Sequence, residues 1–180
     1  MTAAADTRRG RRISVNQGDH VVSGDADTCL TAILGSCVAF CLHDPLASIG
    51  GMNHFLLPEP PGGDSQAARR YGAYLAEVLI NDMIKAGARR ERIEAKIFGG
   101  ARMIQGLSDI GAANGAFAQT FLANEGIRIL SRSLGGDKAR RIEFWPATGR
   151  AFQRLVTGPV PDAPARPAPP VAAVGDAELF

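Results

Sequence analysis

The sequence predicts an α+β fold made mainly of antiparallel sheet, and three observations carry that expectation. Short strand-like runs cluster towards both ends of the chain, turn signals join neighbouring runs, and only two stretches change to a helical period. With 180 residues, 46% apolar and 21% charged, the chain has the size and composition of one globular domain with a real hydrophobic core. No apolar run reaches bilayer length, and "MTAAADTRRGRR" lacks the apolar stretch of a secretory signal. The expected location is therefore cytoplasmic. Three cysteines without a CxxC pair suit a reducing compartment better than a disulfide framework.

The elements follow in order. "ISVNQGDHVV", Ile13 to Val22, reads as a strand or loose hairpin around a turn-prone Asn-Gln-Gly-Asp. "CVAFCL" and "IGGMNHFLL" are two apolar runs separated by "HDPLAS", whose central Asp-Pro predicts a hairpin turn. From Arg69 to Ala86 the period changes: Leu75, Val78, Leu79, Met83 and Ala86 share one helical face, and Gly87 stops it. "RIEAKIF" alternates Ile93, Ala95 and Ile97 with Glu94 and Lys96, the period of a half-buried strand ending at Gly99-Gly100. A second helix is expected from Ile110 to Glu125, with Ala113, Phe117 and Phe121 four apart. "IRIL", "RRIEFW" and "RAFQRLV" then predict three strands, the last two joined by "PATG". The total is about seven strands and two helices, with no internal repeat.

Two arms flank this body. Residues 1–12 carry four arginines and one aspartate, so the other 168 residues sum to −1 within a total of +2. The body is not basic, and no aromatic residues interleave the arginines, which leaves little support for a nucleic-acid platform. Residues 157–180 hold six of the eleven prolines and read as an extended Pro/Ala-rich tail. The expected organisation is a disordered basic leader at 1–12, a domain at 13–156 and a disordered tail at 157–180.

Chemistry concentrates in "LTAILGSCVAFCLHDPLASIGGMNHFLLP", Leu30 to Pro58, where two cysteines and two histidines interrupt an apolar segment. A hairpin centred between Pro45 and Leu46 sets Cys37 opposite His54, with Cβ atoms about 5 Å apart on one face. An imidazole that takes the thiol proton leaves a thiolate, the form that attacks an acyl carbon. Thr31, six residues before Cys37, offers a hydroxyl to fix the ring. Gly35-Ser36 gives a bendable backbone with amides near the thiol, Gly50-Gly51 opens the opposite strand to a substrate, and Asn53 adds an amide donor beside His54. Each feature also has a structural reading as core residue, bulge or turn. Zinc is the chemical rival, since Cys29, Cys37, Cys41 and His54 supply enough ligands, although their spacing forms no knuckle pairs. His43 is expected to face water at the turn, and His20 has no evident partner. "FGGA" at Phe98 to Ala101 lacks the lysine and spacing of a phosphate loop and reads as a strand-end turn.

The motifs "LGSCVAFCLHDP", "GGMNHFLLP", "AKIFGGARMI", "IGAAN" and "SLGGDKARRIEFWPATG" stand in the order and at the spacings of the CheD family, the chemoreceptor glutamine deamidases, which the chain resembles from Ile13 to Val156. The resemblance implies an α/β sandwich similar to the catalytic domain of cytotoxic necrotising factor deamidases. It implies Cys37 as nucleophile, His54 as general base and acid, and Thr31 as third member of the set. Ser36 and Asn53 then stand beside the reacting amide, and Gly99 and Gly100 shape the substrate cleft. No cofactor or metal is implied. The implied partners are chemoreceptor cytoplasmic domains and a CheC-type phosphatase. From the residues themselves, Lys138, Arg140 and Arg141 flank a turn and read either as a basic patch that steers an acidic surface or as a solvated strand end. A non-catalytic adaptor that binds receptors or a CheC-type phosphatase is the alternative function. An intact Thr31, Cys37, His54 set favours the protein-glutamine glutaminase.

Overall fold

A computed structural model describes residues 10–58, 65–103 and 109–157. The proposed tail lies outside these residues apart from Thr157, as does the leader up to residue 9. Among the described residues nine strands form two sheets. The first contains β1 (Arg12–Ser14), β3 (Cys29–Leu34), β8 (Arg140–Trp145) and β9 (Arg150–Leu155), in the order β1-β3-β8-β9. The second contains β2 (His20–Ser23), β4 (Val38–Asp44), β5 (Ile49–Asn53), β6 (Glu94–Gly99) and β7 (Arg128–Leu134), in the order β2-β5-β4-β6-β7. Only the β1/β3 and β6/β7 pairs are parallel, so the mainly antiparallel α+β expectation holds.

Side-chain alternation builds the layers. Leu30, Ala32 and Leu34 of β3 and Ile142 and Phe144 of β8 meet Ala39 and Cys41 of β4 in a core between the sheets. The alternate residues of β4, Val38, Phe40 and Leu42, point the other way into a second core under α1 (Ser65–Lys85) and α2 (Ile110–Asn124). The β4 strand is thus buried on both faces, which is why "CVAFCL" shows no polar alternation. Phe40, Phe55, Phe117 and Phe121 form a chain of ring contacts with centroids 5.2, 5.7, 5.9 and 6.0 Å apart. Asp109 caps α2 by accepting the Ala112 amide at 2.9 Å.

Several expectations change. The α1 helix starts at Ser65, and its buried stripe is Ala68, Gly72, Ala76, Leu79, Ile80 and Met83. Leu75 and Val78 only flank that stripe, and Ala86 is exposed. "CLTAIL" is a strand that the run-by-run reading misses, because its turn to β4 has no Pro or Asn. "ISVNQGDHVV" is not a hairpin: β1 pairs with β3 and β2 with β5, so the intervening turn carries the chain from one sheet to the other. Arg12, assigned to the leader, lies in β1 and pairs with Glu143 at 2.7 Å. The β8/β9 hairpin across "PATG" forms as expected.

Candidate active site

The predicted hairpin exists, shifted along its ladder. Cys41 faces Met52 and Val38 faces Phe55, and the turn centres one residue later than expected. Continuing that ladder sets His54 across from Ala39 rather than Cys37. Side chains alternate with a period of two, so a shift of two residues keeps both groups on one face. Cys37 packs against the core between the sheets, and the His54 ring reaches Val15 of that same core.

Cys37 ends the strap Gly35-Ser36-Cys37, by which the chain leaves β3 in the first sheet and enters β4 in the second. All three strap carbonyls are held. The Ala101 amide donates to Gly35 and the Gly100 amide to Cys37, each at 2.8 Å. Asn114 of α2, fully buried, donates from Nδ2 to the Ser36 carbonyl at 2.9 Å and accepts the Leu57 amide at 2.9 Å. One side chain therefore ties the strap to the segment that follows His54. Gly99 has φ +119°, and a Cβ there would stand 2.0 Å from the Cys37 carbonyl oxygen, so only glycine fits. Gly99 and Gly100 thus support the strap from behind. Among the described residues the Ser36 and Cys37 amides are taken by no backbone carbonyl. The Cys37 thiol donates to Gln17 Oε1 at 3.4 Å. Burial pushes it up to about 11, and its own backbone amide offsets this only in part.

His54 is clasped by the turn between β1 and β2. Its backbone amide donates to Asp19 at 3.1 Å, its carbonyl accepts from Gly18 at 2.7 Å, and ring Nδ1 lies 3.1 Å from the Val15 carbonyl. A carbonyl only accepts, so Nδ1 carries the proton and Nε2 is a bare acceptor. Among the described residues Nε2 has no hydrogen-bond partner. Burial lowers the pKa of the ring, with the Val15 carbonyl opposing, which leaves a neutral base at rest.

Thr31 does not touch the ring in the way a hydroxyl orienter requires. Its hydroxyl donates to the Ile13 carbonyl at 3.5 Å, on the face of β3 opposite Leu30, Ala32 and Leu34. Its main chain acts one step removed: the Thr31 carbonyl accepts the Val15 amide at 2.8 Å, and Val15 in turn holds His54. Asn53 turns its Oδ1 to the Phe40 amide at 2.9 Å, and its buried Nδ2 has no partner among the described residues. Gly50 and Gly51 do not open the strand. A Cβ on Gly50 would meet the Pro146 carbonyl oxygen at 2.4 Å, and one on Gly51 would meet Leu79 at 2.7 Å, so both serve close packing.

Val15, Gln17 and Asn114 are the site residues that sequence reasoning missed. Asn114 had a signal, a polar residue among Gly111, Gly115, Ala118, Phe121 and Leu122 on the buried stripe of α2. Gln17 and Val15 had none, because their role depends on a turn crossing between sheets. Other assignments move too. Arg140 is buried, bonded to Ser133 at 2.5 and 2.9 Å and to the Gly135 carbonyl, so it ties its own loop and steers nothing. His20 bonds Asp82 of α1 at 2.8 Å. His43 bonds the Ala147 carbonyl at 3.3 Å and packs on Gly149 instead of facing water. With Cys41, Lys96 and Thr148 it lines a cavity of about 220 Å³. No three His, Cys, Asp or Glu side chains gather as metal ligands among the described residues.

Residues 56–155 match the family model described as CheD chemotactic sensory transduction. The chain belongs to the CheD family. A relative from Caulobacter vibrioides strain NA1000, named probable chemoreceptor glutamine deamidase CheD, is 54% identical over 182 residues, covering 97% of this chain and 96% of its own. Another of that name from Rhizobium meliloti strain 1021 is 55% identical, covering 83% of this chain and 82% of its own. The family match begins two residues past His54, while the Caulobacter alignment is long enough to include Thr31, Cys37 and His54. Among solved structures, the Bacillus licheniformis hypothetical protein YfiH is 16% identical with a TM-score of 0.42, over 72% of this CheD-family chain and 61% of that one.

Proposed function

We propose that this chain is a chemoreceptor glutamine deamidase, a protein-glutamine glutaminase that converts chosen receptor glutamines to glutamates. The observation that carries the reading is a thiol at Cys37 and a bare Nε2 on His54 on one face of the site, in a chain whose relatives bear that name. His54 Nε2 takes the Cys37 proton, and the thiolate attacks the side-chain carbonyl carbon of the glutamine. The untaken amides of Ser36 and Cys37 hold the oxyanion. Collapse of that intermediate breaks the C–N bond, and the His54 imidazolium protonates the departing nitrogen to release ammonia. Water, deprotonated by His54, then adds to the thioester and leaves a glutamate and the free thiol.

Thr31 enters as a positioning residue, through Val15, and not through its hydroxyl. Two partners belong to the proposal: the cytoplasmic domain of a chemoreceptor as substrate, and a CheC-type phosphatase. A cytoplasmic location belongs to it as well, and no described helix is long and apolar enough to cross a membrane. The test incubates a cognate receptor cytoplasmic domain with the protein or with Cys37→Ala and measures glutamine peptides by mass spectrometry. An amide-to-acid mass gain that needs Cys37 is expected; binding without conversion by either protein rejects the enzyme in favour of an adaptor.

A further inference from the structure

We infer that Gln17 is a resident stand-in for the substrate: its carboxamide holds the Cys37 thiol in the resting protein and yields that place to the target glutamine. This inference rests on the proposed deamidase reading. Gln17 carries the same functional group as the proposed substrate, and its Oε1 accepts the thiol proton at 3.4 Å. While that bond lasts, the proton points at an amide oxygen and not at His54 Nε2, which has no partner among the described residues.

The placement is built by the fold. The Asp19 amide closes a tight turn onto the Asn16 carbonyl at 2.9 Å, and Gly18 occupies its left-handed position at φ +87°. On either side of Gln17 the same turn grips His54, through Val15 and through Gly18 and Asp19. Gln17 is therefore presented to Cys37 by the very segment that fixes the base. It is exposed, whereas Cys37 is half-buried, so an arriving side chain displaces Gln17 into solvent without moving the core. A hydrogen bond from a thiol to a neutral acceptor favours the protonated sulfur, so displacement also frees the thiol for proton transfer.

The experiment uses the full chain and reads alkylation of Cys37 by iodoacetamide at pH 8, localised by peptide mass spectrometry, beside steady-state deamidation of a receptor domain. Gln17→Ala is expected to speed alkylation about three- to tenfold, by loss of one hydrogen bond that holds the thiol. Gln17→Glu, of nearly the same shape, places a carboxylate at the sulfur and is expected to slow alkylation by a similar factor. For deamidation, Gln17→Ala is expected to lower KM, since a competitor for the thiol has been removed. Equal alkylation rates in all three proteins, or a KM that rises in Gln17→Ala, overturns the inference. Alkylation needs no deamidation, so its outcome stays distinct from a failure of the deamidase reading.

Discussion

Two cysteines, Cys41 within β4 and Cys37 just before it, face the layer between the sheets, each on the same face as a histidine, and the two sets have opposite characters. Cys41 sits inside the ladder, with Met52 on one side and Lys96 on the other, and is 1% exposed. Burial drives its thiol far above the ordinary range, and nearby His43 is spent on the Ala147 carbonyl. Cys37 stands one residue before the strand, where the chain crosses between sheets, and its thiol donates to the side-chain amide of Gln17. The contrast teaches that a thiol and an imidazole on one strand face do not make a site by themselves. What matters is whether the backbone has left the ladder, since only there are main-chain amides free to receive charge and is a substrate able to enter.

Replacing each cysteine separates the two sets most sharply. Cys37→Ala is expected to cut deamidation by at least about a thousandfold, the scale seen when a nucleophile is removed. Cys41→Ala is expected to keep turnover and lose about 1 kcal/mol of stability in urea unfolding, as a small cavity opens. Next comes the pH dependence of labelling. With a pKa raised to about 11, Cys37 alkylation should rise about tenfold per pH unit between pH 7 and 9 without levelling, while Cys41 stays unlabelled in the folded protein. A plateau near pH 8 would show that the thiol ionises in another environment from the one described.

The hairpin that bears both cysteines is pinned at its far end by Asp44, which is fully buried. It accepts the Leu46, Ala47 and Arg89 amides and pairs with Arg92 at 2.7 Å. Burial alone would raise its pKa, but Arg92 and those amides overcome that and hold the carboxyl well below the usual range. Because the folded pKa is depressed, the stability from Asp44 is present above about pH 4 and drains as pH falls further. Asp44→Ala is expected to cost about 3 kcal/mol at pH 7, and this difference from the parent should narrow in acid. At the other end, Asn114→Ala orphans the Ser36 carbonyl and the Leu57 amide. A loss of about 2 kcal/mol is expected, with a larger fall in kcat than in substrate binding. A stable Asn114→Ala variant with unchanged kcat would mean that the strap holds its shape without the helix.

The fold was legible wherever a period or a turn residue marked it. The strands "RIEAKIF" and "RRIEFW" and the helix from Ile110 announce themselves by alternation or by steps of four. Sheet membership was not legible: nothing local distinguishes β1 from β2, which start at Arg12 and His20 and belong to different sheets. The predicted pairing of Cys37 with His54 fell to a register error, but their common face survived because the error was an even number of residues. Thr31 shows the opposite case. Spacing and resemblance select the residue, but the partner of the His54 ring is the carbonyl of Val15, and backbone acceptors carry no sequence signature.

Asn114 gives the site a ruler. Its two bonds span from the nucleophile strap to the chain just beyond the base, so the separation of Cys37 and His54 is gauged by a helix and not only by the hairpin that bears them. A displacement of α2 along or across the sheet reaches the thiol and the imidazole segments together, through one carboxamide. Pressure on that helix, from whatever docks against its outer side, is thereby transmitted to the spacing on which proton transfer depends.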